Sequence, residues 1–197
     1  MKRNFLLLTL LVISIPVIIS AQVEQPEAVK TVDSVDLDRY QGTWYEIARY
    51  PNKFQKKCVG NTTATYKKLD SGRIEVINEC LLKNGKTDKA KGKAKIVDTK
   101  SNAKLKVRFA PAWLSFIPQV WGDYWIIDLD KEYQYVAIGD PKRKYFWILS
   151  RTPTLESQTY QEILRKAEKM GFAPNKVIET PQTVETSKGT VIQNPQT

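Results

Sequence analysis

The chain has 197 residues, with 31 Lys and Arg against 21 Asp and Glu, a net charge of +10 and no histidine. The missing histidine excludes Ser-His-Asp and Cys-His catalysis and His-ligated metal sites. Two cysteines alone cannot build a zinc centre. No Gly-rich phosphate loop and no Gly-x-Ser-x-Gly occurs, so no cofactor is expected.

Lys2 and Arg3 precede an apolar run from Phe5 to Ile19, and Ser20-Ala21 is a small-residue exit. This is the layout of a secretory signal peptide over residues 1–21, cleaved after Ala21. An uncleaved membrane anchor is the other reading, but the run is short of the about 20 apolar residues that a span needs. No Cys lies near the junction, so a lipidated N-terminal Cys is unavailable. The expectation is an exported chain, periplasmic or secreted, at or near the outer membrane and not lipidated. Removing Lys2 and Arg3 lowers the net charge from +10 to +8. That balance suits an anionic membrane surface or plain solubility, and export makes nucleic acid the least fitting partner. Cys58 and Cys80 in an oxidising compartment are read as a disulfide, with a pair of buried thiols as the alternative. The bridge closes a loop of about 22 residues and contributes about 3 kcal/mol in the chain-entropy model.

Residues 22–34 are polar and aperiodic, a flexible lead-in. From residue 42 the pattern becomes short alternating runs between turn signals, which indicates an all-β barrel or sandwich. The predicted strands are 44–50, 62–69, 73–82, 87–98, 103–109, 124–129, 133–138 and 144–150, with Asp70-Ser71-Gly72 and Asn84-Gly85 as turns. Eight strands in simple succession fit an antiparallel up-and-down barrel. Thr154 is read as the cap of a C-terminal helix. Its stripe is Leu155, Tyr160, Ile163, Leu164, Ala167 and Met170, and Gly171 ends it. One amphipathic helix after eight strands is expected to pack outside the barrel. The domain thus covers 35–182, and residues 183–197 read as a disordered tail.

In the fourth strand Lys89, Lys91, Lys93 and Lys95 alternate with Ala90, Gly92, Ala94 and Ile96. The lysines must face water, so three tiny side chains face inward. A barrel with such a wall can hold a ligand. The competing reading is that bulk from Trp44, Trp125, Trp147, Tyr66 or Tyr135 fills the gap. In the fifth strand Lys104, Lys106 and Arg108 face out and Leu105, Val107 and Phe109 face in. The resulting cationic patch is either a solvated face or an attraction for anionic lipid headgroups. Residues 110–121 carry Trp113, Leu114, Phe116, Ile117 and Trp121 in a segment that Pro111 and Pro118 bar from regular structure. This loop is a lid over the mouth, a shallow membrane contact, or packing for a neighbouring loop. Among the acids only Glu46, Asp123 and Asp128 lie in otherwise apolar strands. Glu46 reads as a buried acid or as a rim residue paired with Lys.

Gly42-Thr43-Trp44, Gly122-Asp123-Tyr124 and Arg151, in that order around eight strands, resemble the lipocalin family. The phrases 42–50 and 147–153 are nearest to its bacterial outer-membrane, plant temperature-induced and apolipoprotein D branches. The resemblance covers roughly residues 35 to 182. It implies that Trp44 plugs the closed barrel end with Arg151 stacked over it, and that the open end takes a small hydrophobic ligand. It further implies that Tyr66, Asn78, Trp147 and Leu149 line the cup; the alternation adds Ala90, Gly92 and Ala94, and Tyr135 joins them as inward bulk. The loop 110–121 falls at the open mouth. The cysteine positions differ from those of apolipoprotein D, so only hairpin register supports the Cys58–Cys80 bridge. The expected function is non-enzymatic binding, transport or storage of a fatty acid, lysophospholipid or similar lipid, by a monomer or homodimer. The competing readings are an isomerase- or epoxidase-type enzyme and a stress-protective envelope protein.

Overall fold

The computed structural model describes residues 28–186 and 189–193. The expected signal peptide and residues 22–27 lie outside the described residues.

Eight strands follow one another: β1 (Gly42–Arg49), β2 (Cys58–Lys68), β3 (Ile74–Leu82), β4 (Thr87–Ile96), β5 (Lys104–Arg108), β6 (Gly122–Leu129), β7 (Tyr135–Gly139) and β8 (Phe146–Ser150). Each pairs antiparallel with the next, and β1 pairs with both β2 and β8, which closes the barrel. A short helix α1 (Leu37–Tyr40) precedes β1, capped by the Asp36 carboxylate, which accepts from the backbone N–H groups of Asp38 and Arg39. The period-2 pattern makes two apolar layers. Inside lie Trp44, Tyr66, Val76, Ala94, Leu105, Ile126, Val136, Ile138 and Leu149. Outside, Ala137, Phe146 and Ile148 of the wall meet Tyr160, Ile163 and Ala167 of helix α2 (Ser157–Lys169). Each such large side chain contributes about 1.5–3 kcal/mol when fully buried. Lys166 adds an ion pair to Asp128 at 3.1 Å.

The N-cap position of helix α2 is Glu156, whose side chain makes no capping bond, and not Thr154. The Thr152 hydroxyl donates to the Thr154 carbonyl at 2.7 Å, and Ser150 Oγ reaches the same oxygen at 3.4 Å. That turn keeps Thr154 out of helical geometry. Gly171 ends the helix as expected, at φ 80°. The end of the lead-in is held by Val32 N–H, which donates to Ile126 O at 3.0 Å, and the first domain residue by Val35 N–H, which donates to Ser101 O at 2.7 Å.

The tail is also structured where it is described. Strands β9 (Ile178–Glu179), on β1, and β10 (Gln182–Thr186), paired with β11 (Gly189–Gln193), occupy a segment read in part as disordered. β1 meets β2 only over Gly42–Tyr45. Residues 178–183 fill the seam above that point. Thr180 N–H donates to Ile47 O at 2.9 Å, and Asn61 N–H donates to Pro181 O at 2.8 Å. Gln182 Nε2 donates to Glu46 O at 2.8 Å and to Thr62 O at 3.1 Å. Gly60 opposes this strap so closely that a Cβ there would sit 2.7 Å from Pro181 O.

The Cys58–Cys80 disulfide is formed, with Cα atoms 5.6 Å apart, and ties β2 to β3 near the end opposite α1.

Candidate functional site at the open barrel end

The two barrel ends are built differently. At one end Trp44 is fully buried, and its indole Nε1 donates to Tyr40 O at 2.9 Å. The Arg151 guanidinium carbon lies 3.8 Å above the Trp44 ring. Arg151 also donates from Nη2 to Arg39 O at 2.7 Å, from Nη1 to Thr43 O at 3.0 Å and from Nε to Tyr133 O at 3.4 Å. Gly42 is required beneath it: φ is 93°, and a Cβ would meet Arg151 Nη1 at 3.4 Å. Tyr124, from the Gly122-Asp123-Tyr124 motif, belongs to the same floor. Its hydroxyl is bonded to Tyr40 Oη at 2.7 Å and to Tyr66 Oη at 2.8 Å. Burial pushes all three phenols up, Tyr66 to about 12 and the other two well above their ordinary value. Asp123 faces outward and pairs with Lys106 at 2.7 Å.

The other end carries the loops 50–57, 83–86, 109–121 and 140–145. Gln55 reaches from the first of these into the wall. Its Nε2 donates to Glu46 Oε2 at 2.6 Å, while its Oε1 accepts from Trp147 Nε1 at 3.2 Å. Glu46 is a buried acid. Thr180 Oγ1 donates to its Oε1 at 2.6 Å, and Arg49 Nε stands 3.1 Å away as an ion pair without hydrogen-bond alignment. Burial raises the carboxyl above its usual range, against the opposing pull of Thr180, Gln55 and Arg49. Trp147 stacks on Tyr145 with ring centroids 5.7 Å apart. Asn78 lies between Ala64 and Ala90, and its Oδ1 is buried with no partner.

Several expected lining residues stand elsewhere. Tyr135 packs on the outer, helix-side cluster with Trp125, because Val136 and Ile138 take the inward positions of β7. It borders an outside groove of about 330 Å³ beside Thr154, Leu155 and Thr159. Ala90 is exposed. Gly92 is buried, but the room beside it is taken: a Cβ there would meet Phe109 Cδ1 at 2.8 Å and Arg108 O at 2.8 Å. Ala94 borders an enclosed apolar space of only about 10 Å³, with Leu105, Ile126 and the three tyrosines. That is the room of about one water. Tyr66 and Leu149 are buried and Trp147 partly so. The Lys89, Lys91, Lys93 and Lys95 ladder is exposed as expected. Arg108 is not: it is 4% exposed, donates to Pro111 O and lies 5.1 Å from the Trp121 ring centroid. Loop 110–121 folds Trp121 back over it, with Lys95 on the same ring at 4.4 Å. Within this loop Trp113 is 72% and Phe116 77% exposed.

Sequence reasoning left Tyr40 and Gln55 out of the site and did not place Phe109 in it. Phe109 was readable as inward from the period of β5. Tyr40 lies before the first strand and Gln55 in a loop, where no period points anywhere. Among the described residues no cluster of three or more His, Cys, Asp or Glu could hold a metal, and no helix is long and apolar enough to cross a membrane.

The chain is a closed eight-stranded barrel, plugged by a Trp–Arg stack at one end and rimmed by loops at the other. A lipocalin-like domain model matches residues 35–182, and the chain belongs to the lipocalin family. It is 43% identical over 161 residues to temperature-induced lipocalin-1 of Arabidopsis thaliana, covering 81% of this chain and 86% of that protein. It is 39% identical over 154 residues to the outer membrane lipoprotein Blc of Escherichia coli K12, covering 78% and 82%. It is 33% identical over 136 residues to mouse apolipoprotein D, covering 64% and 66%. The solved structure of insecticyanin from Manduca sexta superposes with a TM-score of 0.60 at 21% identity, covering 87% of this chain and 89% of that one, and shares the fold. Membership in this family points to binding of small hydrophobic ligands rather than catalysis.

Proposed function

We propose that the chain is a non-enzymatic carrier of a lipid-like molecule, such as a fatty acid or lysophospholipid, which it binds in the upper half of the barrel. The observation that carries this is the asymmetry of the ends. One is sealed by Trp44 and Arg151. The other presents Trp147, the unpartnered Asn78 amide oxygen and Phe109, 44% exposed, under loops with little regular structure. Occupancy requires Phe109 to leave Gly92, since the enclosed space holds about 10 Å³. A half-exposed ring has few contacts to lose in doing so. Each CH₂ then buried contributes about 0.8 kcal/mol, so a medium acyl chain binds without many polar contacts.

Export to the envelope is part of the same reading, supported by the sequence of residues 1–21 and by relatives named as outer membrane lipoproteins. Loop 110–121 is a membrane contact rather than a closed lid, because Trp113 and Phe116 face outward. Native mass spectrometry of the purified protein tests the carrier reading. A co-purifying hydrophobic molecule at one per chain is expected. A barrel that stays empty after incubation with mixed fatty acids and lysophospholipids contradicts it.

A further inference from the structure

Strands β4 and β5 set like charges face to face on the outer wall of the barrel. Their register puts Lys93 opposite Arg108 and Lys95 opposite Lys106. Directly opposed side chains have Cβ atoms about 4.5–5.5 Å apart, and like charges there are destabilising. Of the four cations only Lys106 has a carboxylate partner among the described residues, Asp123 at 2.7 Å. Glu75 stands opposite Lys93 on β3 but forms no ion pair with it. Four cations against one paired acid leave three charges uncompensated in one square of the wall.

Arg108 is the buried corner of that square. It is 4% exposed, it donates from Nη1 to Pro111 O, and its Nε is buried without a partner. Arg108 and Lys95 share the Trp121 ring, at 5.1 and 4.4 Å from its centroid. A neutral ring offsets part of such a charge, but a buried guanidinium without an anion is costly. The square is therefore complementary to an anion, with the exposed Lys93 and Lys95 as its outer edge.

Its position says where that anion comes from. Trp121 Nε1 donates to Ser115 O at 2.8 Å, which pins the tip of loop 110–121 beside the square. Trp113 and Phe116, on either side of Ser115, are both exposed. Rings that favour the bilayer interface and cations that attract lipid phosphates thus share one edge of the molecule. A dissolved anion would use the cations and leave the two rings in water.

We propose that Lys93, Lys95 and Arg108, beside Trp121, hold the phosphate of an anionic lipid headgroup while Trp113 and Phe116 enter the bilayer interface. This rests on the membrane-contact reading of loop 110–121 and narrows it to one lipid class.

The test is sedimentation of the full chain with phosphatidylcholine vesicles, with and without phosphatidylglycerol. The wild type should prefer the vesicles that contain phosphatidylglycerol. Lys93→Gln/Lys95→Gln should weaken binding to them by about ten- to thirty-fold, the size of two lysines at an anionic surface. The same variant should bind pure phosphatidylcholine within about two-fold of wild type, since the rings are untouched. It relieves two like-charge contacts at exposed positions, so it keeps the fold. Arg165→Gln/Lys169→Gln removes the same charge from helix α2 and should stay within about two-fold of wild type on both vesicles. A loss as large in the helix variant overturns the site, because net charge alone then explains the attraction. Equal binding of the wild type to both vesicles also overturns the site and leaves the membrane contact standing. Saturable heat from inorganic phosphate without any vesicle preference makes a dissolved anion the ligand and overturns the lipid assignment. If the wild type sediments with neither vesicle, the membrane-contact reading falls and takes this inference with it.

Discussion

Replacing Arg151 by Ala removes the contact that ties the end of β8 to the start of β1. The guanidinium lies 3.8 Å over the fully buried Trp44 ring, a contact of about 0.5–2 kcal/mol. It also donates to three carbonyls, Arg39 O, Thr43 O and Tyr133 O, of which two are at 3.0 Å or less. A hydrogen bond to a charged group nets about 1.5–3 kcal/mol when buried and less where water can substitute, as it can at this rim. Together these give an expected loss of about 2–4 kcal/mol. Urea unfolding followed by Trp fluorescence reads this directly. With a slope of about 2 kcal/mol/M, the midpoint should fall by roughly 1–2 M. Arg151→Lys keeps the charge but cannot span three carbonyls, so it should recover no more than about half of the loss. Ligand affinity of the folded fraction should be unchanged in both variants, since the site is at the other end. A midpoint shift under about 0.3 M for Arg151→Ala, or full rescue by Lys, refutes the plug reasoning.

Glu46→Gln tests the buried acid. Its folded pKa is raised by burial, so its contribution to stability is present in acid and lost as pH rises through the folded value. The stability of the variant relative to wild type should therefore improve between pH 4 and pH 7, and a pH-independent difference would contradict the burial argument. Gly60→Ala drives a Cβ to 2.7 Å from Pro181 O. It should cost about 1–3 kcal/mol by calorimetry and displace the 178–183 strap; an unchanged Tm would mean the strap does not seal the seam. Trp113→Ser/Phe116→Ser removes two exposed anchors from loop 110–121. Sedimentation with phosphatidylglycerol-containing liposomes should fall about tenfold or more, given about 1.5–3 kcal/mol per fully buried side chain. Equal sedimentation of variant and wild type would dismiss the membrane contact.

Period-2 reading located the strands and the exposed Lys ladder because alternation depends only on which side meets water. It misplaced Arg108, because alternation gives the side and not what later folds over it, here Trp121. It read Gly92 as empty space, since a missing side chain in one strand says nothing about the direction of the Phe109 ring in the next. Tyr135 was assigned inward because its bulk drew attention, while the smaller Val136 and Ile138 carried the true phase of β7. Thr183 looked like solvated tail, and Gln182 like the polar end of the domain, for the same reason that they are useful in the seam. Polar residues that satisfy Glu46 O, Thr62 O and the Asn61 amide are indistinguishable in composition from residues that satisfy water. The Trp44–Arg151 pairing was legible only through motif resemblance, as 107 positions separate the two and no local rule joins them.

The central claim is that the loop-rimmed end of this barrel binds a small hydrophobic molecule. Titration with 11-(dansylamino)undecanoic acid, comparing wild type with Trp147→Ala, tests it most directly. The account predicts saturable one-to-one binding in a dry environment, weakened about tenfold or more by the loss of the Trp147 ring. Absence of saturable binding, or an affinity untouched by Trp147→Ala, would contradict it.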